Sequence, residues 1–469
     1  MTNQTAAVIG GGVIGGGWIA RFALMGWQVN IYDPDPEAPR KVQAVLDNAT
    51  HSLPSLYEQP LPKQGAINFC DSLEEAVAEV AWVSECVPER LELKQKVLAD
   101  IQRACPSDAV ISSSTSGFKP SELQSSADDP QQIIVAHPFN PVYLIPLVEL
   151  VGDLTVVEKA NEILTSLGMF AIHVRKEIDA HIADRLLEAV WREGLWLVND
   201  GIATTEEIDD AIRYGFGLRW AQMGLFETYR VAGGEAGMAH FIGQFGPALK
   251  WPWTKLMDVP ELTDELVQTI ADQSDEQSGM HTIRELERIR DNNLVAMMRG
   301  LKTQNWGAGE LLNKVDATLF AQREEPDFKK MIRTVERIVP ADWVDYNGHM
   351  NESRYGHVFS DAAVAFMQFI GADANYIADG LSFFTVDTHI RYIDECRAGD
   401  QVRVDSKVLL CEGKKVQLYH EMTHADGRLL CSGEQFMLHV NLTTRKSCPP
   451  RADLAETLAT IAEQQKSLI

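Results

Sequence analysis

The chain has 469 residues and a formal net charge of −25, with 45% hydrophobic and 23% charged residues. At roughly 100 to 200 residues per domain, that length argues for two to four domains. The composition is that of a folded globular chain and excludes disordered, collagen-like or coiled-coil classes over most of its length. A field of this sign repels phosphate backbones and anionic headgroups, so neither nucleic acid nor a membrane surface is expected as a partner.

The N-terminus lacks a basic n-region, and no run of about 18 apolar residues appears, so neither export nor a membrane span is expected. Seven cysteines without a C-x-x-C pair fit reduced thiols and a cytoplasmic location. Residues 5 to 10 form a strand-like run ending in glycines, residues 18 to 23 follow at helical spacing, and residues 27 to 33 read as a second strand. Strands are predicted at 81–86, 109–113 and 132–136, with a helix over 91–103. This alternation implies an α/β domain, residues 1–178, on a parallel sheet covered on both faces. From about residue 179 the pattern becomes amphipathic helix (182–200, 205–214, 261–278 and 282–303), which predicts an all-α second domain over 179–320. A charged, proline-bearing stretch at 321–330 reads as a linker. Beyond it, alternating segments at 335–339, 381–392, 401–410, 415–423 and 429–440, one helix at 352–370 and a helical tail at 451–466 predict an α+β domain over 331–469.

Gly10-x-Gly12-x-x-Gly15, with Val13 and Ile14 opening the helix, lets the backbone turn sharply and approach a pyrophosphate at a helix N-terminus. Asp33 closes the next strand, 23 residues after Gly10, where a carboxylate accepts bonds from a ribose 2′-hydroxyl and repels a 2′-phosphate. NAD is therefore expected over NADP. The segment His137-Pro138-Phe139-Asn140-Pro141 follows a strand and lies at a carboxyl edge of the sheet, where open α/β sheets bind ligands. Removing hydride from a secondary alcohol requires a base for the hydroxyl proton, and a neutral imidazole oriented by a carboxylate such as Glu149 suits that task. A histidine before proline is more often structural, however, and spacing alone does not put Glu149 beside it.

Taken together, the glycine turn with Asp33, the Val87-Pro88-Glu89-Arg90-Leu91-Glu92-Leu93-Lys94 stretch, Ser114-Thr115-Ser116, His137 to Glu149, and Glu206-Glu207-Ile208-Asp209 resemble the 3-hydroxyacyl-CoA dehydrogenase family over about residues 5 to 310. The resemblance implies a Rossmann domain with Glu89 and Lys94 at the cofactor. It makes His137 the general base, Glu149 its orienting partner and Ser116 a hydrogen-bond partner of the substrate oxygen. Where that family usually carries an Asn-Arg pair, this chain has Asp184-Arg185. Asp184, Glu188 and Trp191 fall on one helical face. Two carboxylates and an indole are what a quaternary ammonium requires, while ion pairing for Asp184 and core packing for Trp191 are the plainer alternatives. Trp220, in Leu218-Arg219-Trp220-Ala221, adds another indole. These departures look like the L-carnitine dehydrogenase branch, which implies L-carnitine as substrate.

The run Asp342-Trp343-Val344-Asp345-Tyr346-Asn347-Gly348-His349-Met350-Asn351 connects a strand to the long helix of the last domain. Asn351 is a good N-cap, N–H groups at the helix start can polarise a thioester oxygen, and Asp345 can activate water or attack directly. This text and its context resemble the hotdog thioesterases (4-hydroxybenzoyl-CoA thioesterase-like) over about residues 330 to 442, with His349 and Asn351 lining the site. Beside a carnitine dehydrogenase, the implied thioester is betainyl-CoA. His420-Glu421-Met422-Thr423-His424 matches the zinc-protease text H-E-x-x-H, but it alternates as a strand. The two imidazoles would then lie some 13 Å apart, too far to share one zinc, and no metal is expected. Both resembled families pair, so a homodimer is expected. The rival readings are an ordinary 3-hydroxyacyl-CoA dehydrogenase fused to a general acyl-CoA thioesterase, and a non-catalytic NAD-binding protein of the crystallin type.

Overall fold

The computed structural model describes residues 4–232, 241–244, 253–255, 261, 263–278 and 280–468. The chain divides into two compact units, one of Met1–Thr50 with Lys63–Asn313 and one of His51–Pro62 with Lys314–Ile469.

The first unit opens with β1 (Thr5–Ile9), the helix Val13–Leu24 and β2 (Gln28–Tyr32). These are followed by β3 (Ile67–Phe69), β4 (Trp82–Glu85), β5 (Val110–Ser113), β6 (Ile133–Pro138), β7 (Leu147–Val151) and β8 (Phe170–His173). They form one eight-stranded sheet in the order β3-β2-β1-β4-β5-β6-β7-β8. Apolar runs such as Ala6–Ile9 and Ile133–Ala136 are wholly buried, as strands covered on both faces must be. The sheet is parallel from β3 to β6, as the alternation predicts. It then reverses, because β7 runs antiparallel to β6 while β8 runs parallel to β7. The β6–β7 connection of eight residues is too short for the crossover that a parallel partner needs. Strands β3, β7 and β8 are short or lie between stronger signals and do not appear in the sequence reading.

Helices follow at Ala183–Asn199, Thr205–Ala211, Gly217–Ala232, Asp264–Ser278, Ile283–Lys302 and Ala308–Ala321. A π-turn at Ile212–Phe216, with Gly215 outside helical geometry, ends the helix expected over 205–214. Leu186, Leu187, Trp191, Leu218 and Phe226 in this region are exposed.

In the second unit β9 (Ile332–Ile338), β10 (Leu381–Tyr392), β11 (Gln401–Glu412), β12 (Lys415–His424), β13 (Leu429–Asn441) and β14 (Lys446–Ser447) make an antiparallel sheet, ordered β10-β13-β12-β11-β9 with β14 on β13. The helix Glu352–Phe369 lays Val358, Phe359, Ala362 and Phe366 over Val404, Val408, Leu418 and Met422. Burying each large apolar side chain is worth about 1.5–3 kcal/mol. The strand and helix bounds fall within a few residues of those predicted, because clean period-two alternation marks a sheet with one covered face. Helix and antiparallel sheet together are the hotdog arrangement.

Candidate active sites

His137 closes β6, and the antiparallel register puts it directly opposite Glu149 of β7. Paired residues project to the same face of a sheet, and His137 Nδ1 lies 3.0 Å from Glu149 Oε2, both side chains being buried. The reversal of the sheet is thus what joins two residues twelve apart in sequence. Glu149 Oε1 accepts the N–H groups of Ile182 and Ala183, at 2.9 Å each, where the helix Ala183–Asn199 begins. Burial pushes the Glu149 carboxyl up, but the hydrogen bond from His137 and those from Ala183 and Ile182 outweigh it and hold it below the ordinary carboxylate value. An anionic Glu149 keeps the proton on Nδ1, so Nε2 presents the free lone pair.

Asp184 occupies the first turn of that helix, and its Oδ2 stands 3.5 Å from His137 Nε2 with the side chain 18% exposed. Burial pushes its carboxyl above the ordinary value; Glu149 adds to this, and His137 and His181 oppose it. His181 was not singled out from the sequence. It is fully buried, adopts φ 50°, and sets its ring centroid 5.4 Å from that of His137. Burial pushes its pKa down, and His137 adds to the shift. Its place three residues before Asp184 was the only available signal.

Ser116 lies in the loop after β5, exposed, and its hydroxyl makes no hydrogen bond among the described residues. The loop is held by its neighbour. Thr115 Oγ1 donates a short hydrogen bond to Glu89 and accepts the Phe118 N–H at 3.1 Å. Glu89 pairs with Lys94 at 3.2 Å. Lys94 is only 2% exposed and also touches both oxygens of Glu85, at 3.0 and 3.2 Å, and the Val87 carbonyl at 3.2 Å. Burial pulls the ammonium down, and the attraction of Glu85 and Glu89 more than restores it. The structure therefore brings Glu89 and Lys94 together directly and adds Glu85, which the sequence did not single out, to a network that reaches the Ser116 loop through Thr115.

The glycine turn fits a dinucleotide. Gly10 has φ 100°, and a Cβ there would come 2.7 Å from the Cys86 carbonyl oxygen; at Gly15 it would come 1.8 Å from the Gly10 oxygen. Both glycines are demanded by the chain's own packing. Gly12 is different, since a Cβ would meet nothing within 4 Å. Its bareness leaves the helix N-terminus open to a ligand. Val13, exposed, and Ile14 begin that helix. Asp33 accepts the Gly11 N–H at 2.6 Å and the Asp35 N–H at 2.8 Å, fixing a carboxylate beside the turn.

Glu188 and Trp191 line a groove with Leu187, Leu195, Ile208 and Ile212. Trp191 is 60% exposed, and at 1.5 Å rise per residue it stands about 10 Å along the helix axis from Asp184. Trp220 packs against Phe216 with ring centroids 4.6 Å apart and the planes tilted by 59°. The structure brings Asp184 to His137 but joins neither indole to that pair.

In the second unit, Asp345 sits in a turn closed by the Val344–Met350 bridge. Its N–H donates to the His349 carbonyl at 3.0 Å, and its Oδ1 accepts the Asn347 N–H at 2.8 Å. Gly348, at φ 81°, supplies the left-handed residue that this turn needs. Asn351 caps the helix Glu352–Phe369 by accepting the Ser353 N–H at 3.0 Å. His349 Nε2 lies 3.1 Å from Glu395. His420 and His424 fall on β12, a strand as expected. His420 is buried with Nδ1 2.7 Å from Ser406 Oγ, whereas His424 pairs with Asp426 and Asp400.

Residues 5–178 match the 3-hydroxyacyl-CoA dehydrogenase NAD binding domain, residues 181–271 the 3-hydroxyacyl-CoA dehydrogenase C-terminal domain, and residues 339–458 the thioesterase-like superfamily. A Ruegeria pomeroyi protein named L-carnitine dehydrogenase/betainyl-CoA thioesterase is 62% identical over 99% of this chain and 97% of its own. An Agrobacterium fabrum protein of the same name is 54% identical over 94% of this chain and 91% of its own. Among solved structures, 5-formyl-3-hydroxy-2-methylpyridine 4-carboxylic acid 5-dehydrogenase, described as an NAD+ dependent dismutase, is 28% identical, covering 64% of this chain and 98% of its own with a TM-score of 0.55. The chain belongs to the family of fused proteins that carry a 3-hydroxyacyl-CoA dehydrogenase half and a thioesterase-like half, shared with the L-carnitine dehydrogenase/betainyl-CoA thioesterases.

Proposed function

We propose that this chain is a bifunctional enzyme of carnitine breakdown, oxidising L-carnitine to 3-dehydrocarnitine with NAD and hydrolysing betainyl-CoA to glycine betaine and CoA. The observation that carries the first activity is His137 held between Glu149 at Nδ1 and Asp184 at 3.5 Å from Nε2. NAD, when bound, supplies the hydride acceptor. His137 takes the hydroxyl proton at Nε2, Glu149 stabilises the resulting imidazolium, and Ser116 donates to the substrate oxygen. In carnitine the ammonium nitrogen is three bonds from the hydroxyl oxygen, so an alcohol docked on Nε2 carries its cation within reach of Asp184. Glu188, one turn on, extends the negative wall, and Trp191 and Trp220 offer indole faces further out. Gly10, Gly12, Val13, Ile14, Gly15 and Asp33 hold the cofactor, and the Glu89–Lys94 network orders the loop beside it.

In the second activity Asp345 either takes a proton from the water that attacks the thioester carbon, so that the C–S bond breaks and CoA leaves as the thiol, or attacks that carbon itself, in which case water then hydrolyses the mixed anhydride; both routes leave the free carboxylate. N–H groups at the start of the helix Glu352–Phe369 polarise the carbonyl, with His349 and Asn351 lining the site. We assign residues 1–178 to the nucleotide-binding domain, 179–320 to the helical domain, 321–330 to the linker and 331–469 to the thioesterase. A cytoplasmic homodimer accords with seven free cysteines, with exposed Leu187 and Trp191, and with β10 at an open sheet edge. Among the described residues no helix is long and apolar enough to cross a membrane.

The test is NADH formation from L-carnitine, D-carnitine and 3-hydroxybutyryl-CoA, run alongside CoA release from betainyl-CoA. Reduction with L-carnitine and thiol release from betainyl-CoA are expected. Turnover of the hydroxyacyl-CoA alone would establish the ordinary dehydrogenase instead, and no turnover at all the crystallin-like reading.

A further inference from the structure

The second unit is not made of the C-terminal sequence alone. It includes His51–Pro62, a segment that lies in chain order between β2 and β3. Its 3-10 turn Leu53–Leu56 packs beside β9, and Leu53, Leu56 and Tyr57 are buried. The backbone N–H groups of Glu58 and Gln59 donate to Asp316 Oδ1 at 2.8 and 3.2 Å. The His51 ring lies against Gly399, where a Cβ would approach it to 3.1 Å.

Glu58 carries the chemistry of this contact. Arg337 on β9 has a side chain only 3% exposed, and its guanidinium bridges Glu58 at 2.8 Å and Asp361 at 2.9 Å. A buried cation of this kind is strongly dependent on each partner. The same guanidinium sits 5.3 Å from the centroid of the Trp343 ring. Trp343 is buried, its carbonyl accepts the Asn351 N–H at 3.0 Å, and it lies two residues before Asp345. A path of contacts therefore runs from Glu58 through Arg337 and Trp343 to both ends of the turn that presents Asp345 and caps the helix.

We propose that Glu58, contributed by a segment from the nucleotide-binding half of the sequence, is a positioning residue for thioester hydrolysis, holding Arg337 against Trp343 and so setting the Asp345 turn. The fused chain then supplies part of the hydrolase scaffold and is more than a tether. This rests on Asp345 being the hydrolytic carboxylate. Glu58 touches neither substrate nor reacting atoms, so its effect falls on the geometry of the turn, and small misplacements of a reacting group are costly.

The experiment uses the full-length chain with Glu58→Gln, which removes the charge and keeps the shape, and Glu58→Asp, which keeps the charge. Thioester hydrolysis, NADH formation and thermal melting are measured for each. In Glu58→Gln, kcat for hydrolysis should fall about tenfold with KM and melting temperature close to wild type and NADH formation unchanged. Glu58→Asp should recover most of the loss. Unchanged hydrolysis in Glu58→Gln overturns the proposal, and so does an equal loss in both variants that tracks a lowered melting temperature, since that is a folding role. If wild type hydrolyses acyl-CoA but Asp345→Ala hydrolyses it equally well, the hydrolytic reading has failed, and the proposal with it. Wild-type turnover that depends on Asp345 and is indifferent to Glu58 isolates the failure to the positioning claim.

Discussion

Replacing Asp184 by Asn removes one negative charge and preserves the shape of the side chain. The carboxylate lies 3.5 Å from His137 Nε2, so a carnitine whose hydroxyl docks on that nitrogen holds its ammonium about 5 Å away. At an effective dielectric of about 20, two unit charges at that separation attract by roughly 3 kcal/mol. The side chain is 18% exposed, and water in reach of it reduces the useful part to about 2 kcal/mol, or roughly 30-fold in kcat/KM. The substitution also withdraws an anion from beside the imidazole and weakens the base. That second effect is common to any alcohol and must be divided out.

The assay is therefore a ratio. NADH formation is measured for L-carnitine and for its uncharged isostere, in which a tert-butyl group replaces the trimethylammonium, in wild type and in Asp184→Asn. Weakened basicity lowers both rates and leaves the ratio alone, whereas loss of charge recognition lowers only the carnitine rate. The wild-type preference for carnitine should shrink about 30-fold in the variant. A ratio that does not move refutes the argument, whatever happens to the absolute rates, because Asp184 would then be acting on the base or on the fold and not on the cation.

Two point changes divide the labour of the chain. His137→Ala should abolish NADH formation and spare thioester hydrolysis, and Asp345→Ala should do the reverse; either change removing both activities in a folded protein contradicts two separate sites. Gly12→Ala should melt as wild type does, since its Cβ meets nothing, yet lose NAD affinity in a fluorescence titration, while Gly15→Ala should fail to fold normally with its Cβ 1.8 Å from the Gly10 oxygen. His420 supplies a stability test. Burial pushes its pKa from 6.5 down to about 4, so the unfolded chain takes up the proton first and stability falls as pH drops from about 6.5 toward 4. Linkage makes that loss about 2 kcal/mol between pH 7 and pH 5, and unfolding free energies from urea titrations of wild type and His420→Gln at the two pH values should differ by that amount in their pH dependence.

The sheets and helices were legible wherever a segment carries a period of its own. Strands β11 and β12 alternate cleanly over eight residues each, and Gly10 to Asp33 binds a strand, a turn, a helix and a strand into one readable unit. The sites were legible as residue types and not as neighbours. His137 and Glu149 meet only because β7 reverses direction, which depends on how far an eight-residue connection can reach and is not written in either strand. The resemblance places Lys94 at the cofactor, but sequence does not display burial; in the structure it is tied to Glu85 and Glu89. Asp184, Glu188 and Trp191 lie on one helix, Ala183–Asn199, but Asp184 and Trp191 stand about 10 Å apart along its axis, and a shared face in sequence does not fix that separation. His181 and the Glu58–Arg337 pair were invisible for a related reason, as each matters through a partner distant in the chain.

Two carboxylates flank one imidazole, and their surroundings assign them different work. Glu149 receives hydrogen bonds from His137 and from two backbone N–H groups at a helix start, and these hold it anionic despite burial. Hydrogen bonds from the chain engage both of its oxygens, which suits the proposed task of fixing a tautomer. Asp184 is placed oppositely. Among the described residues it makes no hydrogen bond, its ion-pair partner His137 lies at the long distance of 3.5 Å, and burial raises its pKa. A carboxylate so poorly compensated is costly to keep ionised, and a neutral amide there would cost the fold less. In the proposed reading the charge is met by a cation that donates no hydrogen bond and cannot lose a proton, and a trimethylammonium group has both properties. The asymmetry between the two acids is the physical ground for proposing Asp184, and not Glu149, as the group that meets the ammonium.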